Sequence, residues 1–243
     1  MSLPRYPKYK DSGVEWLGEV PEHWDVAAVG NRYSVQLGKM LDSGKIIGEN
    51  LRPYLRVVDV QWGEINVSDL PLMDFNEAER ARFSLEAGDL LVNEGGSYPG
   101  RCAIWEGAIA ECYYQKALHR LRPSRRDRDS TRFLFFVMCS ATHLGVFSAG
   151  GNEATIEHLP AERLRRYRLP WPPIDEQRRI SSFLEQEAAK IDGLITEQQR
   201  LVELLKEKRQ AVISLAVTKG LNPDASITHR VTNGSATYPR TGS

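Results

Sequence analysis

The stretch from about Asp175 to Thr218 constrains this chain more than any other part of it. It reads DEQRRISSFLEQEAAKIDGLITEQQRLVELLKEKRQAVISLAVT, with no proline and only Gly193 as glycine. Ala, Glu, Gln, Leu, Lys and Arg dominate, all strong helix formers. Apolar residues recur at coiled-coil spacing: Leu184, Ala188, Ile191, Ile195, Val202, Leu205, Val212 and Ala216, broken by Gln198 and Arg209. A neighbouring stripe holds Ile180, Leu194, Leu201 and Leu215. Two adjacent stripes make an apolar face broader than a simple two-stranded seam. At 1.5 Å per residue the helix would be roughly 65 Å long. A compact domain does not need such a rod for its own core, so the stripe is expected to be a helix-pairing surface centred on Leu184, Ile191, Ile195, Val202, Leu205 and Val212. Gly220 and Pro223 should end the helix. The polar tail beyond it is expected to lack regular structure.

The preceding segment, residues 1–173, has a different grammar. Strand-length runs bounded by Gly, Pro or Asp recur at PYLRVVDVQW (53–62), DLLVNEGG (89–96), RCAIWEG (101–107) and KALHRLRP (116–123). Asn76–Leu85 reads as a short helix with Asn76 as cap and Glu79 as its capping-box partner. Thr131–Leu144 is a second helix candidate, apolar on most sides and so expected to pack against the sheet. Pro170, Pro172 and Pro173 form a stiff extended joint. The expected fold class is α+β: a mixed α/β domain over 1–173, the long coiled-coil-forming helix over 174–221, and a disordered tail over 222–243.

Composition narrows the functional classes. In 243 residues, 32 Lys+Arg balance 32 Asp+Glu. Coating nucleic acid by bulk charge is excluded, whereas local basic patches are not. No run approaches the ~18 apolar residues of a membrane span, and MSLPRYPKYKDSG lacks the apolar core of an export signal. A cytoplasmic chain with no membrane partner is expected. Three cysteines at wide spacing fit reduced thiols better than a disulfide framework.

Catalytic constellations are missing from the sequence. Gly38 and Gly44-Lys45 are misspaced for a phosphate-binding loop, and Ile46 stands where Ser or Thr would hold magnesium. There is no H-E-x-x-H, C-x-x-C or G-x-S-x-G. Trp171-Pro172-Pro173-Ile174 superficially resembles the tetrapeptide that grips an amino group in amino-methyltransferases. It lacks both the polar residue and the stacking aromatic, and reads better as a rigid joint. The expectation is a non-enzyme without metal or cofactor of its own.

Polar clusters offer contact instead. Lys116, Arg120, Arg122, Arg125, Arg126, Arg128 and Arg132 crowd one segment, and Arg163, Arg165, Arg166 and Arg168 another. Guanidinium groups pair bidentately with phosphate or guanine, although a solvated face is an equally good reading of such runs. Asn93-Glu94-Gly95-Gly96-Ser97-Tyr98-Pro99-Gly100-Arg101 is glycine-rich and follows an apolar strand; an ordinary hairpin turn is its bland reading. Tyr113-Tyr114-Gln115-Lys116 and the segment 148–158 are further contact candidates.

Taken together, these segments resemble the specificity (S) subunit of type I restriction–modification enzymes. The resemblance is carried by KDSGVEWLGEVPEHWDV (10–26), then PYLRVVDVQWGEI, GDLLVNEGGSYPGRCAIW and YQKALHRLRP in order. LPWPPIDEQRRISSFLEQEAAKID is the most specific piece, and KRQAVISLAVTKGLNP is similar to the end of the family's spacer helix. The resemblance implies a non-catalytic subunit whose target-recognition domain reads one half of a split double-stranded DNA sequence. It also implies spacer helices that dock methyltransferase (M) subunits, which bring the S-adenosylmethionine chemistry, and a restriction (R) subunit that joins them. The family pattern has two recognition domains. A second KDSG-type opening is missing here, so a half-length form acting as an antiparallel homodimer on a palindromic target is expected. The helix would then set half-sites about one to two DNA turns apart. Candidate base readers are Asn93, Ser97, Tyr98 and Arg101, then Tyr114, Gln115 and Lys116, then Asn152, Thr155 and His158. Arg125, Arg126 and Arg128 are expected on phosphate. Glu176, Gln177 and Arg178 are expected to face the M subunit. The rival readings are a coiled-coil protein-interaction scaffold without DNA specificity and a solitary nuclease.

Overall fold

The computed structural model describes residues 5–41, 48–96, 98–147, 158–221, 227–228 and 238–239. They fall into two units, Met1–Phe183 and Leu184–Ser243.

The first unit is built on a four-stranded antiparallel sheet. Its strands are β4 (Tyr33–Leu37), β7 (Asp89–Asn93), β8 (Cys102–Trp105) and β10 (Leu118–Pro123), in the order β4-β10-β7-β8. Alternation along each strand divides the side chains between two cores. Leu90, Val92, Cys102 and Leu121 face one core, with Phe133, Leu134 and Met138 of α2 (Thr131–His143) and Leu164 of α3 (Ala161–Arg166). Leu91, Ala103, Trp105 and Leu118 face the other. That second core also takes Phe83 of α1 (Glu77–Phe83) and the small sheet of β5 (Leu51–Leu55), β6 (Leu72–Asp74) and β9 (Tyr113–Tyr114). Covered on both faces, β7 is buried at every residue, which explains its nearly unbroken apolar run.

Local signals account for the remaining elements. Asn76 caps α1 by accepting from the Glu79 N–H, and the Glu79 carboxylate accepts from the Asn76 N–H. The run 53–62 is shorter as a strand than its composition implies. It leaves β5 after Leu55 and turns through a 3-10 helix at Val57–Asp59. Asp59 causes the turn: it accepts from the Arg56 N–H and forks the Arg56 guanidinium. The proline joint is likewise more structured than expected. Arg168–Trp171 forms β11, which pairs antiparallel with β3 (Asp25–Ala28). The missing N–H of Pro170 is tolerated in this two-stranded sheet. The N-terminal β1 (Tyr9–Asp11) and β2 (Glu19–Pro21) make a separate antiparallel pair. Cys102, Cys112 and Cys139 are all unbridged.

The helix α4 runs unbroken from Ile174 to Lys219. The division expected at 173/174 falls after Phe183 instead, because Glu176, Gln177 and Ser181 in the first turns of α4 are buried within the first unit. In the second unit the apolar stripe is exposed. Ile191, Ile195, Val202, Leu205 and Val212 each keep about half of their surface in solvent. The tail expected to lack regular structure lies mostly outside the described residues. Its described part corrects that expectation locally, since β12 (Ile227–Thr228) pairs antiparallel with β13 (Tyr238–Pro239). No helix among the described residues is long and apolar enough to cross a membrane.

Candidate nucleic-acid interface

Two of the polar segments singled out in the sequence meet at one end of the four-stranded sheet, joined there by residues 158 and 159. The hub is the Glu94 peptide. Its N–H donates to the Ala117 carbonyl at 2.9 Å, and its carbonyl accepts from the Leu159 N–H at 2.6 Å. The glycine loop after β7, the turn between β9 and β10, and the segment leading into α3 are thereby fastened together. His119 reinforces the junction by donating from Nε2 to the Leu159 carbonyl at 2.7 Å. Two glycines are required here. A Cβ on Gly38 would lie 2.3 Å from the Gln115 carbonyl oxygen. Gly100 has φ +87°, and its Cβ would meet Thr142 Oγ1 at 2.6 Å and Phe147 at 2.7 Å. The glycine loop is thus seated on the C-terminal end of α2.

Within the loop, Tyr98 is 55% exposed and its ring carries the Arg101 guanidinium at 4.1 Å. Arg101 Nη1 donates to Gln61 Oε1 at 2.7 Å, and Gln61 Nε2 donates to the Val58 carbonyl at 2.8 Å. Gln61, with the exposed Val58 and Trp62 beside it in sequence, therefore joins the site without having been singled out in the sequence. The signal was hidden because 53–62 reads as one strand. Only the Arg56–Asp59 turn brings Gln61 to this rim.

The other candidates divide. Lys116 is exposed and Gln115 half-buried at the rim. His158 is exposed and adjoins Leu159. Ser97, Asn152 and Thr155 lie outside the described residues. Asn93 shapes the loop through its backbone, with its N–H on the Arg101 carbonyl and its carbonyl taking the Gly100 N–H. Its side chain is 2% exposed, so it cannot reach a base as it stands. Tyr114 is also corrected. It is fully buried, donates to the Gln36 carbonyl at 3.2 Å, and its phenol is pushed well up by burial. Tyr113 is buried beside it.

The arginine segment is not part of this rim. It lies at the other end of β10, about 20 Å of strand from the glycine loop. Its charges are largely spoken for. Arg122 forks Asp89, Arg125 pairs with Asp127 at 2.6 Å, Arg126 with Glu86 at 3.3 Å, and Arg128 with Asp129 at 3.0 Å. Arg32 meets the buried Asp129 at 2.6 Å. A run of positive letters in the sequence is, in space, an alternating network.

Glu176 and Gln177, expected to face a partner, point inward. The Glu176 carboxylate accepts from the Tyr6 hydroxyl, from His23 Nε2 at 2.8 Å and from Trp24 Nε1 at 3.1 Å. Burial alone would raise its pKa, but these hydrogen bonds together hold it below its ordinary value. Gln177 is fully buried. It accepts from the Ser130 N–H at 2.9 Å and donates to the carbonyls of Arg128 at 3.1 Å and Pro172 at 2.8 Å. Only Arg178 of the three is exposed.

Residues 25–205 match the family model described as type I restriction modification DNA specificity domain. This chain belongs to that family. The match takes in the sheet, both cores and most of α4. Among curated relatives, the specificity subunit of the type I restriction enzyme EcoKI from Escherichia coli K12 is 24% identical over 204 residues, covering 82% of this chain and 44% of its own. A Methanocaldococcus jannaschii protein, provisionally named as the specificity subunit of type I restriction enzyme MjaX, is 22% identical over 213 residues, 84% and 48% of the two chains. The specificity-family chain described here thus spans about half the length of these relatives. Its fold is also that of solved structures. One is a chain from the assembled type I R-M system (TM-score 0.63, 20% identity, 86% of this chain and 48% of that one). Another is the HsdS subunit from Thermoanaerobacter tengcongensis (TM-score 0.58, 19% identity, 86% and 47%).

Proposed function

We propose that this chain is a non-catalytic DNA-recognition subunit that reads one half-site of a bipartite target in a type I restriction–modification complex. The observation that carries the reading is the junction at Glu94, where the glycine loop, the turn between β9 and β10 and residues 158–160 leading into α3 meet in a chain of the specificity family. Tyr98, Arg101, Gln115, Lys116 and His158 are the described residues available there for double-stranded DNA, with Gln61 holding Arg101. Ser97, Asn152 and Thr155 remain candidates from the sequence, outside the described residues.

The exposed stripe of α4 supports pairing with a second copy of the chain, helix against helix in antiparallel sense, which makes the target palindromic. Methyltransferase subunits, themselves carrying S-adenosylmethionine, are proposed to dock on the paired helices and on the exposed face around Arg178, and a restriction subunit to join that assembly. The chain itself needs no cofactor for this role, and its setting is the cytoplasm.

Selection from a library of random duplexes tests the proposal, with the chain alone and co-purified with a methyltransferase subunit. A bipartite motif with two-fold symmetry is expected from the complex. Enrichment of no motif in either form overturns the DNA reading.

A further inference from the structure

Arg122, at the far end of β10, and the arginines that follow it in sequence sit against carboxylates, but Arg101 does not. Arg122, Arg125, Arg126, Arg128 and Arg132 each sit against Asp or Glu. Arg101 is held instead by an aromatic face and a neutral amide, Tyr98 at 4.1 Å and Gln61 Oε1 at 2.7 Å. Both holders fix the plane of the guanidinium and leave its charge intact. Its Nε is buried without an acceptor, while the Nη1 contact to Gln61 lies in an exposed setting. The root of the group is therefore out of water and its tip is at the surface. Gln61 takes one Nη1 hydrogen, and no acceptor among the described residues takes those of Nη2.

A phosphate contact asks only for a nearby positive charge. Two-point recognition of a base edge asks for a planar donor pair of fixed orientation. The guanine edge in the major groove, with acceptors N7 and O6, is the base pattern that a fixed guanidinium fork matches. We propose that Arg101 reads a guanine in the half-site, with Tyr98 as its stacking platform and Gln61 as a positioning residue. The inference rests on the DNA reading above and adds the base and the geometry to it. Gln61 itself makes no base contact in this arrangement, because its amide is engaged at both ends, with Arg101 and with the Val58 carbonyl.

The test starts from the motif selected by the full chain with its methyltransferase subunit. If wild type selects no motif, the DNA reading itself falls and this inference with it. Given a motif, 7-deazaguanine is placed at each guanine in turn, which removes the N7 acceptor and nothing else. One position should lose about tenfold in binding by the wild type. Arg101→Lys keeps the charge and loses the fork. It should bind random duplex within about twofold of wild type, lose selection at that single position, and be insensitive to 7-deazaguanine there. Gln61→Ala should weaken the same position while preserving the rest of the motif. A wild type indifferent to 7-deazaguanine at every guanine overturns the inference. So does an Arg101→Lys variant that weakens all sequences equally with its motif unchanged, the signature of a phosphate contact. The 7-deazaguanine arm needs no variant, so it can overturn the inference even if a substitution impairs folding.

Discussion

Asp89 is a carboxylate held wholly out of water at the start of β7. Its oxygens accept from Arg122 Nε and Nη2, both at 2.7 Å, and Oδ2 also takes the Glu86 N–H at 2.8 Å. Arg122→Ala would leave that charge buried and half-satisfied, at a cost of about 3–5 kcal/mol. Denaturant unfolding should show it, and a loss below about 1 kcal/mol would mean that water reaches Asp89. Gly100→Ala is a second case. Its left-handed φ and the 2.6 Å approach to Thr142 Oγ1 leave no place for a methyl group, so the glycine loop must shift off α2. DNA selectivity is expected to fall more than thermal stability does; an unchanged motif would show that the loop's seat is irrelevant to reading. Acid sensitivity follows from His119 and Glu176. Burial holds His119 below its ordinary value of 6.5, so below that pH the unfolded chain gains a proton that the folded chain refuses. Stability present above pH 6.5 is therefore lost progressively as pH falls. Glu176, held below its ordinary 4.5, adds a second loss as pH drops through its lowered folded value. A thermal midpoint flat between pH 7 and 5 would contradict the first step, and His119→Gln should remove that step alone. None of this was legible in the letters. Charge runs do not reveal which carboxylate answers which arginine when partners such as Asp89 and Arg122 are 33 positions apart.

At the scale of elements, the sequence was informative wherever the determinant is local. The capping box of α1, the span of α2, the strands after Gly88 and Arg101, and the helix beginning at the proline joint all follow from neighbours within a few residues. Reading failed where an element answers to a distant one. Val57–Asp59 turns because Asp59 takes over the Arg56 backbone and side chain. Pro170 belongs to a strand because β3, over 140 positions away, supplies the partner. The start of α4 shows the same effect for function. The proline joint with the helix start that contains Glu176 and Gln177 is the most specific part of the family resemblance, yet the pair closes the joint rather than facing outward. Gln177→Ala would leave the Ser130 N–H and the Arg128 and Pro172 carbonyls without this partner at a buried position. About 1–3 kcal/mol of stability should be lost. Measured by thermal unfolding, an unaffected midpoint would return Gln177 to the list of surface contacts.

At the scale of the molecule, the apolar ladder of α4 is the feature that a single chain leaves unsatisfied. Ile191, Leu194, Ile195, Val202, Leu205, Val212 and Leu215 are each about half exposed or more. Full burial of one such side chain is worth roughly 1.5–3 kcal/mol. Even partial cover along the stripe therefore exceeds what a stable helix pair requires once the cost of association is met. A homodimer at micromolar concentration is expected, with twice the chain mass of 27.5 kDa by light scattering after gel filtration. The double variant Ile195→Glu, Val202→Glu places two carboxylates per chain in the seam and should yield monomers. Neither residue contributes to the two cores of the globular unit, so its thermal transition should be preserved. DNA binding then separates two roles of the pairing. If pairing serves only avidity, the monomer should still select the half-site, with affinity lowered by the lost second contact and by no change in the bases preferred. If the monomeric variant instead loses the half-site motif while its thermal transition is intact, the helix pair does more than join two readers: it sets the geometry in which each one reads.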